Sequence, residues 1–193
     1  KNLVALLKPQ SFEAEQFKVL RTYLLFPASG EPPRSLIVTS AIPGEGKSFV
    51  TANLAISIAQ SLQEHVLIID CDMRKPGIHK KFGFGDVPGL SEHLSNGISL
   101  SSLFLKTKLN KLSILPAGKP PQNPYELVHF HDWQQVGILL KHDMGGFQDT
   151  IININCGHNF GHELLDRAGE LFVAPGLKKI VPEDGYPILI VLG

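Results

Sequence analysis

The sequence predicts an α/β fold: a doubly wound, mostly parallel sheet with helices on both faces. Several short segments, such as residues 34–40, 64–72 and 111–118, each carry a cluster of Val, Ile and Leu. Strands of this kind are buried on both faces, which is typical of a parallel sheet between helix layers. With 193 residues, 43% of them hydrophobic and 19% charged, the chain can bury one sizeable core.

The elements follow in order from the amino terminus. Residues 11–26 have apolar side chains at helical spacing, Ser11 as a cap, and Glu13 and Glu15 in the first turn, so they predict a helix. A Pro/Gly/Ser linker at 27–33 ends it. We therefore predict an N-terminal helical arm over residues 1–30 and a nucleotide-binding domain over residues 31–193.

Within the second unit, strands and helices are predicted to alternate. After the three strands above, weaker strands are predicted at 150–155, 170–175 and 186–192. Predicted helices lie at 47–62, 89–96, 100–105, 125–140 and 161–168.

Charge and cysteine content narrow the class of protein. Lys+Arg and Asp+Glu balance at 18 each, so no global charge steers the chain toward nucleic acid, and no nucleic-acid partner is expected. Cys71 and Cys156 are expected to be free thiols in a reducing cytosol. No apolar run reaches the ~20 residues that span a bilayer. We expect a cytoplasmic protein that meets the membrane through a partner.

The stretch TSAIPGEGKSF, residues 39–49, lies between the first predicted strand and a predicted helix. This order is the context of a phosphate-binding P-loop, in which backbone N–H groups converge on phosphate oxygens at a helix N-terminus. Lys47 would reach the β- and γ-phosphates, and Ser48 would offer its hydroxyl to Mg²⁺. Ala41 stands where the strict consensus has its first glycine. The predicted nucleotide-binding residues are Pro43, Gly44, Glu45, Gly46, Lys47, Ser48 and Phe49.

Two acids follow the second predicted strand. Asp70 and Asp72 lie at its carboxyl end, where ligands bind in open α/β sheets. Carboxylates one residue apart point the same way along a strand, so they could hold Mg²⁺ or orient an attacking hydroxyl. Arg74 could neutralise phosphate charge.

Together these residues resemble the bacterial protein-tyrosine kinases of capsular and exopolysaccharide biosynthesis. That family carries TS-x-x-PGEGKS as Walker A, D-x-D-x-R as Walker A′, and an E-x-x-R-x-x-R helix used in self-assembly. The corresponding helix here has Glu15, Lys18 and Arg21, with lysine in place of the first arginine. Residues 115–127 are similar to a further loop of the family, and the match is dense over residues 11–127.

The resemblance implies a P-loop NTPase-like fold, ATP/ADP and Mg²⁺ as cofactors, and Lys47, Asp70 and Asp72 as catalytic residues. It implies a tyrosine-bearing protein substrate and a membrane adaptor or chain-length protein that recruits the chain to the inner face of the membrane. It also implies a homo-oligomer that forms through Glu15, Lys18 and Arg21 and that could close into a ring.

The carboxyl-terminal third departs from the family pattern. Asn155 stands where the family's Walker B strand ends in an acid, or Asn153 in a shifted register, so the predicted metal ligands are Ser48, Asp70, Asp72 and Asn155. The resemblance also leads us to expect a terminal tyrosine cluster, to which the tyrosines of the 193 residues, Tyr23, Tyr125 and Tyr186, do not correspond.

Three functions stay open at this point. One is a tyrosine autokinase domain that regulates polysaccharide chain length. The second is a nucleotide-binding regulator of the same family with impaired phosphoryl transfer, which Asn155 favours. The third is a partition-type ATPase, disfavoured because Ile42 occupies the position of that branch's extra P-loop lysine.

Overall fold

The computed structural model describes residues 3–30, 36, 38, 44–61, 65–124 and 126–127. The helices among these residues are α1 (Val4–Leu7), α2 (Phe12–Leu25), α3 (Lys47–Ala59), α4 (Ile78–Lys81) and α5 (Leu90–Asn96). The strands are β1 (Val66–Ile69), β2 (Leu105–Lys106) and β3 (Leu112–Leu115).

The described strands form one sheet in the order β1-β3-β2. β1 and β3 are parallel, with Ile69 opposite Leu115, as the sequence predicts for two consecutive buried runs. β2 is antiparallel to β3. Every residue of β1 is buried, because helix α3 covers it.

The prediction of a helix over residues 100–105 is wrong. A single 3-10 turn, Leu100–Ser102, is followed by strand β2. The Thr107 hydroxyl accepts a hydrogen bond from Leu109 N at 3.0 Å, and Thr107 N donates to Leu112 O at 3.2 Å. These bonds close a hairpin, and pairing with β3 overrides the short helical pattern.

Helix α2 begins where the sequence predicts. The Ser11 hydroxyl accepts a hydrogen bond from Ala14 N at 3.2 Å, which caps the first turn. Its buried face carries Ala14, Phe17 and Leu24.

The N-terminal helices pack on α3. Phe17 meets Phe49 edge to face, with ring centroids 5.7 Å apart. The Asn53 amide accepts from Ala5 N at 3.0 Å and donates to Phe49 O at 2.9 Å. Residues of α1 and α2 therefore share one apolar cluster with α3, β1 and β3. That residues 1–30 form a separate arm for self-assembly remains a proposal.

Some predicted elements lie outside the described residues. They are most of the strand at 34–40, the strands at 150–155, 170–175 and 186–192, and nearly all of the helices at 125–140 and 161–168. Among the helices that are described, none is long and apolar enough to cross a membrane.

Candidate nucleotide-binding site

The phosphate-binding stretch is described over residues 44–49, here called the cradle; Pro43 lies outside the described residues. Gly44 and Gly46 have left-handed backbones, with φ of 88° and 95°. A side chain would strain both positions, so glycine is required for this turn. Gly46 is the N-cap of α3, and its carbonyl accepts from Phe49 N and Val50 N at 2.8 and 2.9 Å. Lys47 and Ser48 are therefore the first two residues of the helix.

The second part of the site is the acid turn, residues 70–78. Asp70 is fully buried, and its carboxylate accepts three backbone hydrogen bonds. Oδ1 accepts from Asp72 N at 3.2 Å, and Oδ2 accepts from Gly77 N at 3.2 Å and Ile78 N at 3.1 Å. The carboxylate therefore closes the turn and sets the start of α4.

Burial raises the pKa of Asp70 to about 6, although the N–H groups of Ile78, Gly77 and Asp72 act in the opposite direction. Burial therefore outweighs the three backbone donors that favour the charged form.

Asp72 has a different environment from Asp70. Strand β1 ends at Ile69, so the alternation of a strand does not hold the two acids on one side. Asp72 is partly exposed, and its Oδ1 accepts from Lys75 N at 2.9 Å. Arg74 is exposed on the same turn.

The fold brings the cradle and the acid turn to the same edge of the sheet. Helix α3 packs on β1, and only residues 60–65 connect the two, so the helix runs antiparallel to the strand. Its first residue, Lys47, then lies toward the carboxyl end of β1, where Asp70 follows. Helix α4, at the far end of the acid turn, also contacts α3.

The polar groups of the cradle and the acid turn are of the kinds that bind a magnesium nucleotide. Gly46 makes no side-chain capping bond, and the dipole of α3 favours an anion at this terminus. Ser48, Asp70 and Asp72 offer oxygen ligands, the type that Mg²⁺ prefers. Since Asp70 Oδ2 already accepts two hydrogen bonds, Oδ1 is its oxygen with remaining capacity. Asn155 lies outside the described residues.

Sequence reasoning missed a third part, which we call the glycine junction: Gly89, Ser91, Glu92 and residues 116–119. The Glu92 carboxylate accepts from Gly89 N at 2.7 Å and from Lys119 N at 3.1 Å. A glutamate three residues after the start of a predicted helix is the glutamate half of a capping box, which could have drawn attention to Glu92. No local signal points to Lys119.

A glycine-capped helix that opens with Lys-Ser, beside a buried strand that ends in two aspartates, defines a P-loop nucleotide-binding α/β protein. The chain is 37% identical over 128 residues to the tyrosine-protein kinase YwqD of Bacillus subtilis, an alignment that covers 66% of this chain and 54% of that protein.

The chain is also similar to solved structures. The crystal structure of the chimerical protein CapA2B2 aligns with 89% of this chain and 73% of its own, at 30% identity and a TM-score of 0.74. The kinase domain of the Escherichia coli tyrosine kinase ETK aligns with 81% of this chain and 60% of its own, at 29% identity and a TM-score of 0.69. No protein-family model matches the chain.

The chain belongs to the family of bacterial tyrosine-protein kinases. The resemblance and the fold class predicted from the sequence are confirmed. The chain spans about half the length of the curated relatives that it matches first, 54% and 53%. The roles assigned to individual site residues stay predictions.

Proposed function

We propose that this chain is the nucleotide-binding part of an ATP-dependent protein-tyrosine kinase that regulates exopolysaccharide or capsule synthesis. The observation that carries the proposal is the cradle: Gly46 in a left-handed conformation caps α3, and Lys47 and Ser48 follow at the edge where the acid turn lies. The family of the chain supports tyrosine as the acceptor.

The residues have different roles in this proposal. Lys47 binds the β- and γ-phosphates, and Ser48 binds the metal through its hydroxyl. Mg²⁺, when bound, supplies positive charge against the leaving phosphate. Asp70 holds the acid turn through its three backbone bonds. Asp72 takes or orients the hydroxyl proton, and its partial exposure supports this assignment.

The test is phosphate transfer and nucleotide turnover, measured with and without a synthetic glutamate–tyrosine copolymer. We expect transfer by the wild type. Lys47→Met should weaken MgADP binding by about tenfold or more, whereas Asp72→Asn should abolish transfer. Unchanged affinity in Lys47→Met, measured by calorimetry, would remove the cradle from the site. Turnover that ignores the acceptor would favour a partition-type ATPase.

Asn155 favours a second candidate, a nucleotide-binding regulator with impaired transfer. An amide there cannot supply the negative charge that helps to hold a metal ion, so binding would survive while transfer is slow. Asn155→Asp should then raise the rate of copolymer phosphorylation and leave ADP affinity within about threefold. A fast wild-type kinase, or no effect of the substitution, excludes this candidate.

The proposed assembly surface is helix α2. Lys18 pairs with Glu15 at 2.7 Å on its exposed side. Arg21 instead donates to Ser57 O at 2.8 Å and so ties α2 to α3. Apolar side chains at helical spacing lie on the outer face: Phe12, Val19, Tyr23 and Phe26, of which the aromatic ones are 76%, 75% and 72% exposed. A second copy of this chain could cover that face.

Because Arg21 is bonded within the chain, its charge reversal would weaken the fold as well as an interface. A sharper variant is Tyr23→Ser, which changes only the exposed face. We expect it to shift the sedimentation profile toward monomer with an unchanged melting temperature. Phe17→Leu, on the buried face of the same helix, is the matched control and should lower the melting temperature instead. An unchanged profile for Tyr23→Ser would leave α2 a surface helix.

The membrane adaptor is the least supported part of the proposal and rests on the family alone. Its test is the distribution of the chain between soluble and membrane fractions of its own cells. Recovery with the membranes, reversed by high salt or by loss of the adaptor, is the expected result. Recovery in the soluble fraction under every condition would contradict it.

A further inference from the structure

The glycine junction ties two distant segments together by backbone bonds. Leu90 N donates to Pro116 O at 2.8 Å, and Ser91 N donates to Ala117 O at 2.9 Å. The start of α5 is thus bound to the chain that leaves strand β3. Pro116, Ala117 and Gly118 are buried, and Lys119 is exposed.

The two segments approach so closely that only glycine fits at the crossing. A Cβ at Gly89 would collide with Pro116 O, and a Cβ at Gly118 would collide with the Glu92 carboxylate and the Ser91 hydroxyl. Gly118 also has a φ of 86°, which side chains rarely adopt.

Glu92 does more at this crossing than cap its own helix. One carboxylate oxygen, Oε2, accepts from Gly89 N at 2.7 Å, which is the capping bond. The other, Oε1, accepts from Lys119 N at 3.1 Å, across 27 residues of sequence. The Ser91 hydroxyl has one proton to share between Glu92 Oε2 at 2.9 Å and Lys119 O at 2.8 Å. A helix cap alone would need neither contact with Lys119.

The segment held in this way lies beside the acid turn. Strands β1 and β3 are parallel neighbours, and Asp70 N donates to Leu115 O at 2.9 Å. Residues 116–119 therefore leave the sheet directly next to Asp70, at the edge where ligands of α/β sheets bind. They belong neither to the cradle nor to the acid turn.

We propose that Glu92 is a positioning residue: it fixes residues 116–119 as the wall on the acceptor side of the site, and so sets the affinity for the tyrosine-bearing substrate rather than for nucleotide. This inference rests on the proposed kinase function. Phosphate contacts come from the cradle, on another element, which is why nucleotide affinity should not depend on Glu92.

The experiment compares Glu92→Ala, Glu92→Gln and Leu94→Val with the wild type. Leu94 is buried on the same helix and has no part in the carboxylate contacts, so its variant controls for lost stability. For each protein we would measure MgADP affinity, binding of a fluorescent glutamate–tyrosine copolymer in saturating MgADP, and KM and kcat for its phosphorylation. A glutamate–phenylalanine copolymer corrects for binding by charge alone.

Glu92→Ala should raise the copolymer Kd and KM by about tenfold, with kcat and MgADP affinity within about threefold. Glu92→Gln, which keeps an acceptor for Lys119 N, should recover most of the loss, and Leu94→Val should leave KM unchanged. Equal KM values in Glu92→Ala and the wild type would overturn the inference, as would an equal rise in Leu94→Val. Should Glu92→Ala not fold, Ser91→Ala, which loses the bond to Lys119 O, is expected to raise KM in its place.

The two proposals fail in different ways. If the wild type binds no MgADP, the kinase function itself is wrong. If it binds MgADP and copolymer but transfers no phosphate, copolymer binding alone tests Glu92. If it binds MgADP and not the copolymer, the acceptor wall is wrong while the cradle stands.

Discussion

Two carboxylates in this protein each collect three hydrogen bonds, yet their pKa values move in opposite directions. Asp70 in the acid turn accepts three backbone N–H groups, and burial nevertheless raises its pKa to about 6. Glu92 in the glycine junction is only partly buried; although burial alone would raise its pKa, the Gly89 and Lys119 N–H groups and the Ser91 hydroxyl hold the pKa below its ordinary value.

The difference shows that hydrogen bonds do not by themselves decide how a carboxylate titrates. Three donors favour the charged form at both sites, but full removal from water outweighs them at Asp70. At Asp70 burial thus disfavours the charged form, whereas at Glu92 the hydrogen-bond donors favour the charge that holds two segments together.

The largest effect is expected from a substitution that disrupts the glycine junction. Gly118→Ala should lower the free energy of unfolding by about 3–5 kcal/mol, because the added Cβ meets Glu92 and Ser91 and the left-handed backbone is strained as well. Gly83→Ala is the matched control: the same φ of 86° with open space around it should cost only about 1 kcal/mol. Urea denaturation measures both. Equal losses would show that the neighbours of Gly118 do not confine it.

The next effect concerns the charge of Asp70. Its folded pKa lies above the ordinary value of 3.8, so its contribution to stability is complete below about pH 4 and is lost as pH rises through 6. Between pH 4 and pH 7 the wild type should therefore lose about 2 kcal/mol relative to Asp70→Asn, in magnesium-free and nucleotide-free buffer. A constant difference between the two proteins across this range would show that Asp70 is not desolvated.

Glu92→Gln should change the free energy of unfolding with the opposite pH dependence and by a smaller amount. Because the pKa of Glu92 is lowered, its contribution is present above the ordinary value of 4.5 and is lost as pH falls through the folded pKa. At pH 7 the substitution should cost about 1–2 kcal/mol. The gap from the wild type should close in acid, as followed by thermal melts at several pH values. A gap that widens in acid would contradict the prediction.

The smallest effect belongs to a carboxylate that is exposed. Glu15 pairs with Lys18 at 2.7 Å on the surface of α2. Glu15→Gln should change the free energy of unfolding by less than about 0.5 kcal/mol, since water screens such pairs. A loss above 1 kcal/mol, measured in the same urea series, would show that burial is not the variable that orders the three sites.

Local signals predicted much of the fold. The cap at Ser11 and the glycine before Lys47 could be predicted, because a helix cap depends only on residues of the first turn. Strands β1 and β3 were readable as runs buried on both faces. Strand β2 was not, since its two residues take their conformation from pairing with β3.

The candidate site was predicted as a set of residues and not as an arrangement. The sequence placed Asp70 and Asp72 together but could not show that one is buried and the other partly exposed, because that depends on where β1 ends and on the N–H groups of Gly77 and Ile78. The bonds from Lys119 to Glu92 and from Arg21 to Ser57 join residues 27 and 36 positions apart. Such contacts follow from the completed fold, and no local pattern indicates them.

Helix α3 is buried without interruption from Thr51 to Ala59, held between the sheet and the N-terminal helices. A helix confined in this way has little freedom to tilt, so the groups at its first turn stand in place before any ligand arrives. The entropy of fixing that turn has already been lost when the chain folds, and binding does not lose it again. A phosphate that docks there should therefore show fast, simple association kinetics, without a slow step from rearrangement of α3.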